Sequence, residues 1–247
     1  MRCARLALLG VCSLATAAPA LAQIVPKPDI SIELDSDQRR RGLSWSDGRP
    51  AVEGFVSLPV GDALTIGVGA TSLRGSARHG GADVGIDGLV RVGQDVGGGW
   101  RLSAGVVGHV FPGEGGLSYV ELEGAASYQI GPAMLGLTAL YAPAQSAIGG
   151  DNLYLQAGAD IGIPGSGFTL HASVGRSSGA IDDPVRAARL RPENRYWDYA
   201  VGVDRPIGPF TVGVRYTDTS IDGAMPAAPY QDRHVGARLV GFARLDL

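Results

Sequence analysis

The all-β fold that the sequence predicts is a transmembrane antiparallel up-and-down β-barrel of about twelve strands. Three observations predict it. Apolar residues alternate with polar or small ones along most of the chain, the period-2 pattern of a strand with two unlike faces. The connections between these runs alternate between tight turns and longer loops, as in outer-membrane barrels. Aromatic residues are only 6% of the 247 residues, and they gather at the ends of the apolar stripes, where two membrane interfaces would fall.

The first 22 residues read as a secretory signal. Arg2 and Arg5 form a charged start, Leu6 to Leu14 an apolar stretch, and Ala20-Leu21-Ala22 a small-residue cleavage site. The apolar stretch is too short to remain as a spanning anchor. Val11 precedes Cys12 where a lipoprotein signal wants a small residue. Residues 23–247 are expected to form one outer-membrane barrel domain. The two cysteines, Cys3 and Cys12, leave with the signal, so no disulfide framework and no thiolate chemistry are expected. Losing Arg2 and Arg5 moves the net charge from −3 to −5. No Lys/Arg-rich block reaches what phosphate-backbone binding needs, so no nucleic-acid partner is expected.

The strands follow in order. Ile30, Ile32 and Leu34 alternate with Ser31, Glu33 and Asp35. Val52, Val56, Leu58 and Val60 oppose Glu53, Phe55 and Ser57. Leu64, Ile66 and Val68 oppose Thr65 and Gly67, and Val84, Ile86, Val90 and Val92 oppose Asp87, Leu89 and Arg91. Leu102, Ala104 and Val106 oppose Arg101, Ser103 and Gly105. Val120, Leu122, Ala126, Tyr128 and Ile130 oppose Glu121, Glu123, Ser127 and Gln129. Leu135, Leu137, Ala139 and Tyr141 share one face. Leu153 to Ile163 gives the cleanest stripe, against Tyr154, Gln156, Gly158, Asp160 and Gly162. Phe168, Leu170, Ala172 and Val174 oppose Thr169, His171, Ser173 and Gly175. Trp197, Tyr199, Val201 and Val203 oppose Asp198, Ala200, Gly202 and Asp204, and Phe210, Val212, Val214 and Tyr216 oppose Thr211, Gly213, Arg215 and Thr217. The last run, from Val235 through Leu239, Ala243 and Leu245, has the weakest contrast, because its other face carries Val240 and Phe242 beside Arg238 and Arg244.

Tight turns are expected at Gly61-Asp62, 96–99, Gly131-Pro132, 164–167 and 206–209, and longer loops near 39–49, 74–82, 112–116, 144–151, 179–194 and 219–232. An even strand number puts both termini at the tight-turn, periplasmic side. The loops 179–194 and 219–232 are expected to be extracellular and the most mobile. A soluble sandwich would alternate too, but the polar face here mixes charges with glycine and small residues, which suits a crowded lumen. Residues 124–150 carry no charge, yet Pro132 and Pro143 divide them and Ser127, Gln129 and Thr138 alternate with the apolar positions. They read as a hairpin, not a spanning helix.

Residues 36–51, Ser36-Asp37-Gln38-Arg39-Arg40-Arg41-Gly42-Leu43-Ser44-Trp45-Ser46-Asp47-Gly48-Arg49-Pro50-Ala51, resemble a signature near the mature N-terminus of the TorF-type porin family of proteobacterial outer-membrane proteins. Gln38, Arg40 and Trp45 depart from its usual Tyr, Phe and Gln. Further likeness lies in Tyr119 to Gly131, Gly150 to Leu155 and Trp197 to Val203. The resemblance implies an outer-membrane barrel in a Gram-negative bacterium and a porin-like role, with substrates largely undefined.

The best functional signal is the charge on the inward faces. The lumen-lining candidates are Glu33, Asp87, Arg91, Glu121, Glu123, Asp160, Arg215 and Arg238. The carboxylates Glu33, Asp87, Glu121 and Glu123 are expected near mid-height, with Arg91 and Arg238 as the nearest bases. Ten inward acids against five bases predict partial pairing. Twelve strands at ~4.8 Å spacing and ~40° tilt place opposing backbones roughly 24 Å apart, leaving a path of ~10 Å between side chains. Arg39 to Arg41 read as a solvated loop paired to Asp37 or Asp47. Arg186, Arg189 and Arg191 read as another solvated loop, with lipopolysaccharide phosphates as the alternative partner. The four histidines, His79, His109, His171 and His234, show no metal-ligand spacing, and no G-x-S-x-G elbow is present. No catalytic residue, metal or cofactor is expected. The sequence therefore points to a narrow passive channel for small hydrophilic solutes or ions, surrounded by outer-membrane lipid. A closed barrel that binds partners or lipopolysaccharide through its loops is the alternative, and an outer-membrane hydrolase a distant third.

Overall fold

The computed structural model describes residues 27–222, 229–230 and 232–247. The signal segment and its cleavage site lie outside the described residues, as do residues 223–228 and 231 of the last long loop. The strands are β1 (Asp29–Asp35), β2 (Arg39–Arg40), β3 (Leu43–Ser44), β4 (Ala51–Val60), β5 (Leu64–Ser72), β6 (Val84–Gly97), β7 (Trp100–Val110), β8 (Tyr119–Ile130), β9 (Ala133–Gln145), β10 (Gly150–Gly162), β11 (Thr169–Ser178), β12 (Tyr196–Ile207), β13 (Phe210–Thr219) and β14 (Arg238–Asp246). All but β2 and β3 join one closed antiparallel barrel, each hydrogen-bonded to its neighbours in chain order, and β1 closes the ring by pairing with both β4 and β14. Closure removes every sheet edge, which a bilayer requires of a spanning sheet.

Period-2 alternation sorts the side chains as expected. Leu122, Leu155, Val201 and Val214 stand on the outside, 48%, 50%, 56% and 44% exposed, while their neighbours Glu121 and Glu123 face inward. An apolar band this continuous is stable against lipid and not against water. Trp100, Phe168 and Phe210 rim the tight-turn end, with Tyr128 packed on Trp100 at 4.8 Å. Tyr141, Trp197, Tyr199 and Tyr216 rim the long-loop end.

The last strand differs from the sequence reading in length but not in register. Leu239 faces out at 65% exposure and Val240 faces in, opposite Arg215. Val235, expected on the lipid face, lies before the strand and is buried with Leu43, Tyr196 and Ile221. Its carbonyl accepts from Thr219 Oγ1, which folds the segment inward.

Because the strands give their apolar faces to lipid, the buried apolar core sits elsewhere. It lies at the long-loop end, where Trp45, Leu73, Phe111, Leu117, Tyr119, Ile148 and Leu190 pack into one cluster. The long loops therefore form a packed dome over that mouth.

Candidate functional site: a plugged lumen

The segment after β1 does not extend into solvent as expected of a solvated loop. It turns back into the barrel as the β2–β3 hairpin. Arg41 and Gly42 form its two-residue tip, with φ of 55° and 72°, the paired positive values of a type I′ turn. Arginine is an unusual residue there and costs backbone strain. Its surroundings hold it: the Arg41 guanidinium pairs with Glu121, and its carbonyl accepts from Tyr196 Oη at 3.0 Å. The tip is pressed to the wall, since a Cβ on Gly42 would lie 2.5 Å from Thr219 Cγ2 and 2.9 Å from Asp198 Cβ.

Each arginine of the hairpin meets different partners. Arg39 bonds Asp37 at 2.7 Å, as the sequence suggested, and also donates to the Gly236 carbonyl at 2.7 Å. Arg40 reaches two strands, Glu53 on β4 at 3.1 Å and Asp87 on β6 at 2.7 Å, and its guanidinium lies 4.1 Å over the Trp45 ring. Gln38 donates to the same Glu53 carboxylate. His109 stands between Asp87 (2.7 Å) and Glu121 (3.3 Å), linking the partners of Arg40 and Arg41. Charge-assisted bonds of this kind are the stronger ones. They make the hairpin a plug latched to three barrel strands.

The predicted site residues divide accordingly. Asp87 and Glu121 serve the plug, and they lie within four residues of the long-loop ends of β6 and β8, nearer that mouth than the mid-height expected of them. Glu123 pairs with Arg91 at 2.8 Å. Arg238 does not reach these carboxylates. It sits near the hairpin, 4.0 Å from Asp37, and donates to the Gly48 carbonyl at 3.3 Å. Glu33, mid-strand on β1, and Arg215 on β13 form no ion pair among the described residues, nor does Asp35. Asp160 bonds His171 at 2.6 Å, and Asp204 bonds the other ring nitrogen at 2.5 Å. This second acid–histidine–acid group lies toward the tight-turn end.

Among the described residues, charged and polar side chains border two cavities inside the barrel. One, of about 410 Å³, lies under the hairpin and is bounded by Glu33, Arg40, Glu53, Asp87, Arg91 and Arg215. The other, of about 330 Å³, is lined by Thr138, Gln156, Asp160, His171, Ser173 and Arg215. Arg215 borders both, so it stands where they approach.

The loop arginines are also placed differently from the sequence reading. Arg189 and Arg191 are buried, not solvated. Arg189 donates to the carbonyls of Arg78, Leu117 and Ala147, while Arg78 donates back to the Arg189 carbonyl at 2.6 Å and to Ser44 at 3.0 Å. Two guanidiniums thus tie four loops to the hairpin through peptide oxygens. Burial lowers the pKa of both, Arg189 to about 10. His79, buried between Trp45 and Phe111 at ring distances of 4.4 and 4.6 Å, is held neutral by burial first and then by Arg189 and Arg78. Arg186 stays nearer the surface and donates to the Gly116 carbonyl at 2.8 Å.

Among the described residues no serine hydroxyl bonds a histidine; His109, His171 and His234 all meet carboxylates. Asp47, Asp232 and His234 come within 4.8 Å of one another, a grouping that the Asp232-x-His234 spacing hinted at and the sequence reading passed over. Asp232 bonds both the Nδ1 and the backbone N–H of His234, at 2.6 and 2.8 Å, and Asp47 lies 3.7 Å from Nδ1. The arrangement is a loop closure whose imidazole is already engaged.

A closed twelve-stranded barrel with an apolar exterior, charged interior and inward-folded loop defines the porin type of architecture. The chain belongs to the family described as "Bacterial protein of unknown function (Gcw_chp)", whose model matches residues 28–237. It is similar in structure to the KdgM porin in complex with disordered oligogalacturonate, with a TM-score of 0.57 and 7% identity over 89% of this chain and 98% of that one. It is equally similar to the NanC porin, at TM-score 0.57 and 11% identity over the same shares. At these identities the likeness is one of fold. No curated protein matches the chain in sequence.

Proposed function

We propose that this protein is an outer-membrane channel that passes small hydrophilic solutes or ions passively through a narrow lumen, and that the β2–β3 hairpin closes the outer end in the state described here. The observation that carries the reading is the pair of polar cavities beneath the hairpin, inside a barrel whose outer surface is apolar. A barrel built only as a scaffold has no need of polar space on both sides of Arg215. The alternative, a closed barrel with a binding role, is favoured by the number of bonds that hold the hairpin. The porin folds of KdgM and NanC support a channel, and the likeness of residues 36–51 to the TorF-type porin signature points the same way, since those residues build the plug. Export by a cleaved signal at residues 1–22 belongs to the same proposal. So does a non-enzymatic role.

Liposome swelling tests this. Vesicles holding the refolded mature chain with its plug unlatched by Arg40→Gln/Arg41→Gln should admit small neutral solutes such as glycerol and arabinose and exclude sugars larger than about a disaccharide. Absence of swelling with every solute, for protein that is folded and inserted, would establish the closed-barrel alternative.

A further inference from the structure

The lipid-facing wall is not uniform. Across β8 to β12 the antiparallel pairing aligns Gly124, Ala139, Leu155, Arg176 and Trp197 in one outward row. The next row toward the tight turns is Ala126, Leu137, Ala157, Val174 and Tyr199. Small residues in both rows leave an apolar groove of about 610 Å³, walled by Leu137, Leu155, Val174 and Trp197. The one charged side chain bordering it is Arg176, third from the outer end of β11. Its guanidinium lies 5.2 Å over the Trp197 ring and makes no ion pair or hydrogen bond among the described residues. The outward carboxylates at this end are engaged: Asp151 accepts from the Ala180 N–H, and Asp218 from the Thr219 N–H at 2.8 Å.

We propose that this groove seats an acyl chain of the phosphorylated glycolipid of the outer leaflet, with the lipid phosphate on Arg176. An arginine on the lipid face is costly near the midplane and nearly free at the interface. Its position therefore fits a headgroup, and its lack of a carboxylate leaves the charge for an anion from outside the chain. Trp197 contributes its ring to the guanidinium and its edge to the groove. The partner differs in place from the loop arginines, because Arg189 and Arg191 are spent on peptide carbonyls. The proposal rests on the outer-membrane reading but not on conduction.

Native mass spectrometry of the full mature chain in detergent provides the test, with lipid A as the probe. The expected result is one retained lipid A, weakened about tenfold by Arg176→Gln, as for one charge-assisted hydrogen bond, and abolished by Ala157→Trp, which fills the groove. Phosphatidylglycerol should be retained at least tenfold less well. Equal retention of phosphatidylglycerol, or lipid A binding that both variants leave unchanged, would overturn the proposal. So would a two-chain species that Ala157→Trp abolishes, since a second copy would then be the occupant. Heat-modifiable migration on a gel confirms that each variant is folded; Ala139→Phe replaces Ala157→Trp should the latter fail to fold. Swelling activity is read separately, so loss of lipid retention leaves the channel reading standing, and the reverse.

Discussion

Glu121→Gln should loosen the plug while leaving the strand pairing of the barrel wall in place. The Glu121 side chain is 1% exposed and its partner Arg41 13%. Removing one charge of a buried pair leaves the other uncompensated, at a cost of about 3–5 kcal/mol. Glutamine keeps a hydrogen-bonding oxygen and Arg41 keeps some water, so the low end applies, about 3 kcal/mol. That cost falls on the plugged state alone and raises the unplugged fraction about 100-fold. The readout is Leu43→Cys, a thiol placed on the hairpin where Leu43 is buried, in a protein of residues 23–247, which hold no other cysteine. Its rate of modification by a bulky, membrane-impermeant maleimide should rise about 100-fold in the Glu121→Gln background. Glu123→Gln, whose partner is Arg91 on the wall, should change the rate less than threefold. Equal rates in all three proteins would refute the claim that the Arg41–Glu121 pair holds the hairpin.

Other expectations follow from the same structure. Val201→Arg on the outer face should destabilise the barrel by ~2–4 kcal/mol near the midplane, measured by urea unfolding in vesicles, whereas Gln156→Glu beside the inner cavity should cost far less; equal losses would contradict the assignment of faces. His79 has a folded pKa below its ordinary 6.5. The opened dome then binds more protons than the closed one, so dome stability is full above about pH 6.5 and falls as pH drops below it. Proteolysis of the long loops should accelerate from pH 7.5 to 5.5, and His79→Leu should flatten that dependence; an unchanged slope would show that His79 is not its source. Ion selectivity should be mildly cationic, because Glu33 borders the inner cavity and makes no ion pair among the described residues, in a narrow, poorly screened path. Glu33→Gln should lower the preference more than Glu123→Gln does, and a reversal potential showing anion selectivity in the wild type would count against the charge assignment.

The barrel was legible because two environments constrain every strand. A residue such as Leu155 cannot exchange faces with Gln156 without putting an amide in lipid, so alternation fixes register. The start of the last strand was less legible, since Val235 is as apolar as a lipid-facing residue and only the fold shows that it covers the hairpin. The plug was not legible at all. Arg40 and Arg41 lie in a polar loop, and what draws them inward is the carboxylates of Glu53, Asp87 and Glu121, on strands that only barrel closure brings around them. Asp87 and Glu121 were identified as lumen charges, but their partners were sought on the wall. Arg189 likewise looked like a surface charge. Its fate depends on peptide carbonyls of three other loops, which no spacing in the sequence encodes.

Single-channel recording of the doubly substituted Arg40→Gln/Arg41→Gln protein beside the wild type, in a planar bilayer, tests the account most directly. A latched plug over a polar lumen predicts rare, brief openings for the wild type and long-lived openings of the same unit conductance for the variant. No current from the variant, in protein shown to be folded and inserted, would mean that the lumen is closed below the hairpin and that the protein is not a channel.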